Sequence, residues 1–235
     1  MAKQKQTSRQ AVLVADGLTK SYADLVALEP LDLTIRRSEL AVLVGHNGSG
    51  KSTFLSMCAG LLEPTDGTLQ VDGNDAGSFE ARALTAYLPD NPVLYDDLSV
   101  LEHLEYVSRL HGVEDWEDRA HELLDRLGLA HRADDLPSRF SRGLRQKTSI
   151  ALGFVRPFEL LLVDEPFVGL DPQGRDALVT LLDEAHKDGA AVVVATHQLD
   201  FVQRADRCVA LRDGALVFNG PANGANVDQL VLGEQ

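Results

Sequence analysis

The sequence predicts an α/β fold: a mostly parallel sheet flanked by helices, with an antiparallel β subdomain and an inserted α-helical subdomain. Three observations predict it. Continuously apolar runs at 40–45, 159–166 and 190–197 end in small or polar residues, the pattern of strands buried on both faces of a parallel sheet. Helical patterns at 51–60, 116–127, 143–154 and 173–187 alternate with them. Residues about 92–156 are almost free of strand patterns and rich in Leu, Glu and Arg, so they read as a helical insertion.

Taken in order, the first ten residues, MAKQKQTSRQ, are polar and basic with no apolar run behind them. They read as a disordered tail rather than a signal peptide. AVLVADGL (11–18), LDLTI (31–35) and TLQVDG (68–73) resemble an antiparallel patch beside the parallel core. LAVLVG (40–45) leads through a glycine-rich turn into the helix at 51–60. Beyond the insertion, ELLLVDEP (159–166), a helix at 173–187 and AAVVVATH (190–197) resume the alternation. RCVALRDG (207–214) and ALVFNG (215–220) form a hairpin around Asp213-Gly214, a favoured tight-turn pair. The expected layout is one domain over 11–225, its helical subdomain at about 92–156, and a C-terminal tail at 226–235.

Composition narrows the function classes. The 235 residues, 44% hydrophobic, suffice for one large α/β domain or a core with an inserted lobe. A net charge of −14 argues against a basic nucleic-acid-binding face, so no nucleic-acid partner is expected. Cys58 and Cys208 stand in no CxxC pattern, and the seven histidines lack metal-ligand spacing; reduced thiols are expected, not disulfides or zinc. No run approaches the roughly 20 apolar residues needed to span a bilayer. By itself the chain is not expected to cross a membrane, though it can sit against something that does.

The chemistry lies in three stretches. Gly45-x-x-x-x-Gly50-Lys51-Ser52 follows an apolar strand and opens a helix, the context of a P-loop. Its glycines let the backbone turn tightly and aim N–H groups at one anion, and the helix beginning near Lys51 adds its positive end. Lys51 is expected to reach the β- and γ-phosphates and the Ser52 hydroxyl to ligate Mg²⁺. Gly45, Asn47, Gly48, Ser49, Gly50, Lys51, Ser52 and Thr53 together form the expected cradle for a nucleotide triphosphate. In LLLVDEP, Asp164 ends a buried strand as the expected metal-side acid, and Glu165 is the candidate general base. His197 ends a third apolar run at the sheet's carboxyl edge, where ligands collect, and is expected to contact the γ-phosphate and hold the attacking water.

The order P-loop (45–52), FSRGLRQK (140–147), LLLVDEP (160–166), VGLDP (168–172) and ATH (195–197) resembles the nucleotide-binding subunit of an ABC transporter, over residues 11 to 220. The resemblance implies that ATP and Mg²⁺ are the cofactors. It identifies Phe140-Ser141-Arg142-Gly143-Leu144 as the signature loop, usually Leu-Ser-Gly-Gly-Gln; Ser141 and Gly143 match, while Arg142 and Leu144 depart. It further implies that Ser141 and Gly143 close over the γ-phosphate held by the P-loop of a second such domain, in a homo- or heterodimer. Asp171 matches the loop that runs along the dimer interface, and Tyr22 the aromatic that stacks on adenine. Asp90 falls where glutamine is usual and remains able to bind Mg²⁺ or its water.

The same resemblance implies an integral membrane permease as partner, whose coupling helix would lie in a groove lined by Val93 to Leu98. The chain is then expected at the cytoplasmic face of the cell membrane, as a peripheral ATPase. The wording of YLPDNPVLYDDLSVLEHLEY and FSRGLRQK is closest to ABC-2-type exporter ATPases. The alternative is a soluble ABC ATPase of an assembly or repair system with a non-membrane partner. Two nucleotide modules or long coiled coils, expected for translation or DNA-associated members, are not seen.

Overall fold

The apolar runs become the middle of a sheet. The structure, a computed structural model, describes residues 10–226 and 229. The tails expected at 1–10 and 226–235 fall outside the described residues, apart from Gln10, Asn226 and Gln229. In chain order the strands are β1 (Ala11–Tyr22), β2 (Leu25–Arg36), β3 (Leu40–Val44), β4 (Asp66–Val71), β5 (Asn74–Asp75), β6 (Thr85–Leu88), β7 (Leu160–Asp164), β8 (Ala191–Ala195), β9 (Arg207–Arg212) and β10 (Ala215–Pro221). The helices are α1 (Lys51–Cys58), α2 (Phe79–Leu84), α3 (Val100–Leu110), α4 (Glu117–Arg126), α5 (Arg142–Phe154), α6 (Pro172–Lys187) and α7 (Leu199–Val202).

One sheet has six strands in the order β10-β9-β3-β8-β7-β6. Its members are parallel except for β10, which turns back on β9. Asp213 (φ 51) and Gly214 (φ 83) make that turn, both left-handed as a tight hairpin turn requires. The other sheet, β2-β1-β4-β5, is antiparallel throughout and is the expected β subdomain.

Strand pleating divides the core in two. Leu40, Val42 and Val44 of β3, Leu161 and Val163 of β7, and Val192 and Val194 of β8 pack towards the helical lobe with Leu104, Leu123, Ile150 and Leu178. Ala41, Leu43, Leu160, Leu162 and Val193 face the other way, onto α1 and the antiparallel sheet. Alternate residues must point to opposite faces, so a strand covered on both sides reads as unbroken apolar sequence. Full burial of such a side chain contributes about 1.5–3 kcal/mol.

Between β6 and β7 the chain holds α3, α4 and α5 and no strand. Local chemistry starts each main helix. Ser99 and Glu102 form a reciprocal capping box at α3, with the Ser99 N–H donating to Glu102 Oε2 at 2.7 Å. Ser141 caps α5, and Asp171 followed by Pro172 opens α6. The predicted helix limits differ from the observed ones by one or two residues, the usual fraying. The sequence reading does not anticipate β5, α2, β6 or α7; these run two to six residues each, too short to carry a periodicity. Among the described residues, no helix is long and apolar enough to cross a membrane.

Candidate active site

β3, β8 and β7 are neighbours, with Leu43 and Asp164 both in register with Ala195. Their carboxyl ends therefore bring the loop at 45–51, Thr196-His197 and Asp164-Glu165 to one edge of the sheet, the edge where open α/β sheets bind ligands.

After Val44 the chain turns through the glycine-rich loop into α1. Gly50 has φ 101, and a Cβ there would lie 2.8 Å from the Ala27 carbonyl oxygen, so only glycine fits. Gly50 is also the N-cap of α1 and supplies no side-chain cap. The first N–H groups of α1 are thus left without a side-chain acceptor, an arrangement that suits an anion. Lys51 is buried, and its ammonium donates to the carbonyls of Gly45 at 2.8 Å and His46 at 3.2 Å. Burial lowers its pKa from the usual lysine value, opposed by the charges of Glu165 and Asp164. Ser49 Oγ is buried and has no hydrogen-bond partner among the described residues. An ammonium, free helix donors and an unspent hydroxyl fit the tail of a triphosphate.

The metal side is equally legible. Asp164 is buried at the end of β7, and its Oδ1 has no hydrogen-bond partner among the described residues. Burial raises its pKa above the usual carboxylate range; the Ser52 hydroxyl and Lys51 oppose the rise, and the charges of Glu165 and Asp90 add to it. A desolvated carboxylate oxygen beside a hydroxyl is a hard donor set, suited to Mg²⁺. The residues present fit that ion.

Glu165 has φ 44, a left-handed conformation that costs a non-glycine residue about 1–3 kcal/mol and collects at functional sites. Its N–H donates to the Ala195 carbonyl at 2.9 Å, pinning the turn to β8. Its Oε2 lies 2.8 Å from His197 Nδ1. The Glu165 side chain is 16% exposed and that of His197 61%, so the imidazole covers the carboxylate from the solvent side. Thr196 is fully buried, and its N–H bonds to the Leu43 carbonyl at 3.1 Å, which fixes the approach to His197. His197, expected to reach for phosphate and water, is seen holding Glu165.

The signature segment lies elsewhere in the chain. Ser141 Oγ accepts from the Leu144 N–H at 3.3 Å, and a Cβ on Gly143 would fall 2.3 Å from the Gly169 carbonyl oxygen. No hydrogen bond joins Ser141 or Gly143 to the P-loop among the described residues. Asp90, expected on the metal side, has its Oδ1 2.5 Å from the Arg142 guanidinium and its Oδ2 2.9 Å from the Asn91 amide nitrogen. Tyr22 is 49% exposed at the end of β1, with the Lys20 ammonium 5.1 Å from its ring centre, and is not a core residue. Its strand partner β2 carries Ala27, which touches the Gly50 turn.

A groove of ≈ 460 Å³ is walled by Leu61, Tyr87, Val93, Leu94, Val107 and Leu152, among others. Val93 and Leu94 belong to it as expected, but the expected stretch stops there. Tyr95 instead packs on His103 and edge-on to Tyr106, at 5.8 and 5.7 Å between ring centres, and Leu98 is not among the walls. The sequence reading also misses Lys147, buried on α5 and 2.9 Å from Asp171 Oδ2. The polar run Arg145 to Ser149 carries no sign of that burial. It misses the pairing of Arg142 with Asp90, for which separate positions in sequence carry no signal.

A cradle of main-chain donors with one buried ammonium, a desolvated metal-side carboxylate and a histidine-held glutamate define a P-loop nucleotide-binding protein. Known proteins are more specific. Residues 28–168 match the ABC transporter family. The chain is 33% identical over 215 residues to the ABC-type transporter ATP-binding protein EcsA of Bacillus subtilis, across 89% of this chain and 87% of EcsA. It is 32% identical over 209 residues to the SkfA peptide export ATP-binding protein SkfE of the same organism, across 88% of this chain and 87% of SkfE. It superposes with a TM-score of 0.81 and 26% identity on an ATP-binding cassette solved as a dimer in a post-hydrolysis state with ADP and Pi, covering 91% of this chain and 100% of that one. The chain belongs to the ABC transporter family, as an ATP-binding and ATP-hydrolysing subunit.

Proposed function

We propose that the chain hydrolyses ATP at an interface between two nucleotide-binding domains and drives export through a separate membrane permease, working at the inner face of the cell membrane. The observation that carries the catalytic assignment is the Glu165–His197 pair beside Lys51 and the unpartnered Asp164 oxygen. Lys51 and the N–H groups opening α1 hold the β- and γ-phosphates. Glu165 accepts a proton from the water that attacks the γ-phosphorus while the bond to the β-phosphate oxygen breaks. His197 keeps the Glu165 carboxylate aimed. Ser52 and Asp164 would hold Mg²⁺, which would neutralise charge on the phosphate oxygens.

Ser141 and Gly143 act on the neighbouring copy's nucleotide, a reading supported by their separation from the P-loop of their own chain and by the dimeric state of the superposed cassette. The γ-phosphate then ties two halves together, and its loss lets them part, which is differential binding to closed and open states. Tyr22 stacks on the adenine. The groove at Val93 and Leu94 receives a helix of the permease, its exposed apolar walls being the kind of surface that marks a protein contact. Likeness to a peptide export ATPase supports the export direction.

Glu165→Gln tests the assignment. The amide keeps the size and removes the base, so turnover should fall about 10²- to 10⁴-fold while nucleotide binding persists and dimers accumulate. Phosphate-release assays beside size-exclusion chromatography with ATP read both; unchanged hydrolysis removes Glu165 from the mechanism.

A further inference from the structure

Two of the positions at which this chain departs from its family's wording, Asp90 for glutamine and Arg142 for glycine, are in contact. Asp90 lies two residues beyond β6, on the core side, and Arg142 is the first residue of α5, in the helical lobe. Their side chains meet at 2.5 Å, 34% and 50% exposed. The Arg142 methylenes also flank Gly169, where an added Cβ would sit 3.7 Å from Arg142 Cγ. The Arg142 side chain thus runs past the loop at Gly169 and ends on the loop at Asp90.

Charge accounts for the contact. The charges of Glu165 and Asp90 both act on Asp164, while the buried Lys51 answers Glu165 and Asp164. A glutamine at 90 would add no charge. An aspartate needs a counter-charge, and Arg142 provides it. A divalent cation is the competing counter-charge.

Resting on the reading that the P-loop holds the triphosphate and Asp164 the metal, we propose that Arg142 is a positioning residue acting through Asp90. Its guanidinium tethers and offsets that carboxylate, and the Asp90–Arg142 pair thereby sets how strongly Mg²⁺ supports nucleotide binding. Because the pair bridges core and lobe, its loss would also free the start of α5 from the loop after β6.

The test uses the full chain and a fluorescent ATP analogue, titrated with Mg²⁺ and again in EDTA. In Arg142→Gln the half-saturating Mg²⁺ concentration should fall about two- to fivefold, the size of a partly exposed ion pair. Binding in EDTA should stay within about twofold. Asp90→Asn should raise the half-saturating concentration, and adding Arg142→Gln to it should change nothing further. Arg142→Lys should restore most of the wild-type curve. An unchanged or raised half-saturation in Arg142→Gln overturns the proposal, as does an Arg142→Gln effect that persists without the Asp90 carboxylate. Wild-type protein that binds no nucleotide at all would instead fail the P-loop reading beneath it.

Discussion

The helices α1 and α5 both begin where phosphate contacts are assigned, and they begin differently. α1 starts at left-handed Gly50 with no side-chain cap, over a buried lysine. α5 starts at extended Ser141, whose hydroxyl accepts from the Leu144 N–H, with exposed Arg142 at its first position. A glycine cap spends none of the helix's free donors, which leaves them for a ligand held in the same chain. A serine cap spends one donor to stabilise the helix itself. A cation at a helix N-terminus opposes the dipole by about 0.3–1 kcal/mol, and Asp90 offsets it. One terminus keeps its donors free; the other spends one of them on its own cap.

Substitutions at the two starts sharpen that contrast. The largest effect belongs to Gly50→Ala, which adds a carbon 2.8 Å from the Ala27 carbonyl oxygen at φ 101. It should destabilise the fold by about 2–4 kcal/mol, from left-handed strain plus overpacking, read as a lower urea midpoint at unchanged slope. Gly143→Ala comes next. Its φ is ordinary, so only the 2.3 Å approach to the Gly169 carbonyl counts, for about 1–3 kcal/mol. Equal losses at the two sites would erase the distinction between a strained start and a merely crowded one.

The smallest effect concerns the neighbouring helix start that α5 braces. Asp171 accepts from Lys147 at 2.9 Å and from the Gly174 N–H at 2.8 Å. The Lys147 hydrogen bond, followed by that of Gly174, holds its pKa below the usual aspartate range. A depressed folded value means the stabilisation is present above about pH 4 and is lost as pH falls through the lower folded pKa. Asp171→Asn keeps the cap and removes the charge. At pH 7 it should cost about 0.2–1 kcal/mol, and the gap from wild type should close below about pH 4. A gap constant with pH would assign the whole effect to the cap.

Much of the site is readable from residue order because each part sits at the end of an apolar run. Val44, Asp164 and Ala195 close strands whose composition announces burial on both faces, and the polar residues just beyond are then placed at one edge. The lobe is less readable. The four residues of β6 carry no period, so the position of Asp90 after it was fixed only by its pairing with β7 through Thr85 and Leu160. The groove shows the same limit: Val93 and Leu94 face it, while Tyr95 turns to a hydrogen bond from its N–H to His103 and to stacking on that ring. Successive loop residues share no period that would tell which way each points.

By itself the sequence determined the α/β class, and it pointed to the glycine-rich loop with Lys51 and Ser52 and to Asp164, Glu165 and His197 at strand ends, because glycine spacing and apolar periodicity are local properties. Only the tertiary structure decided that His197 grips Glu165, that Lys147 braces Asp171 and that Arg142 answers Asp90. Those contacts join residues from 24 to 52 positions apart, and a pair so distant meets only after strand order and lobe packing have brought its elements together.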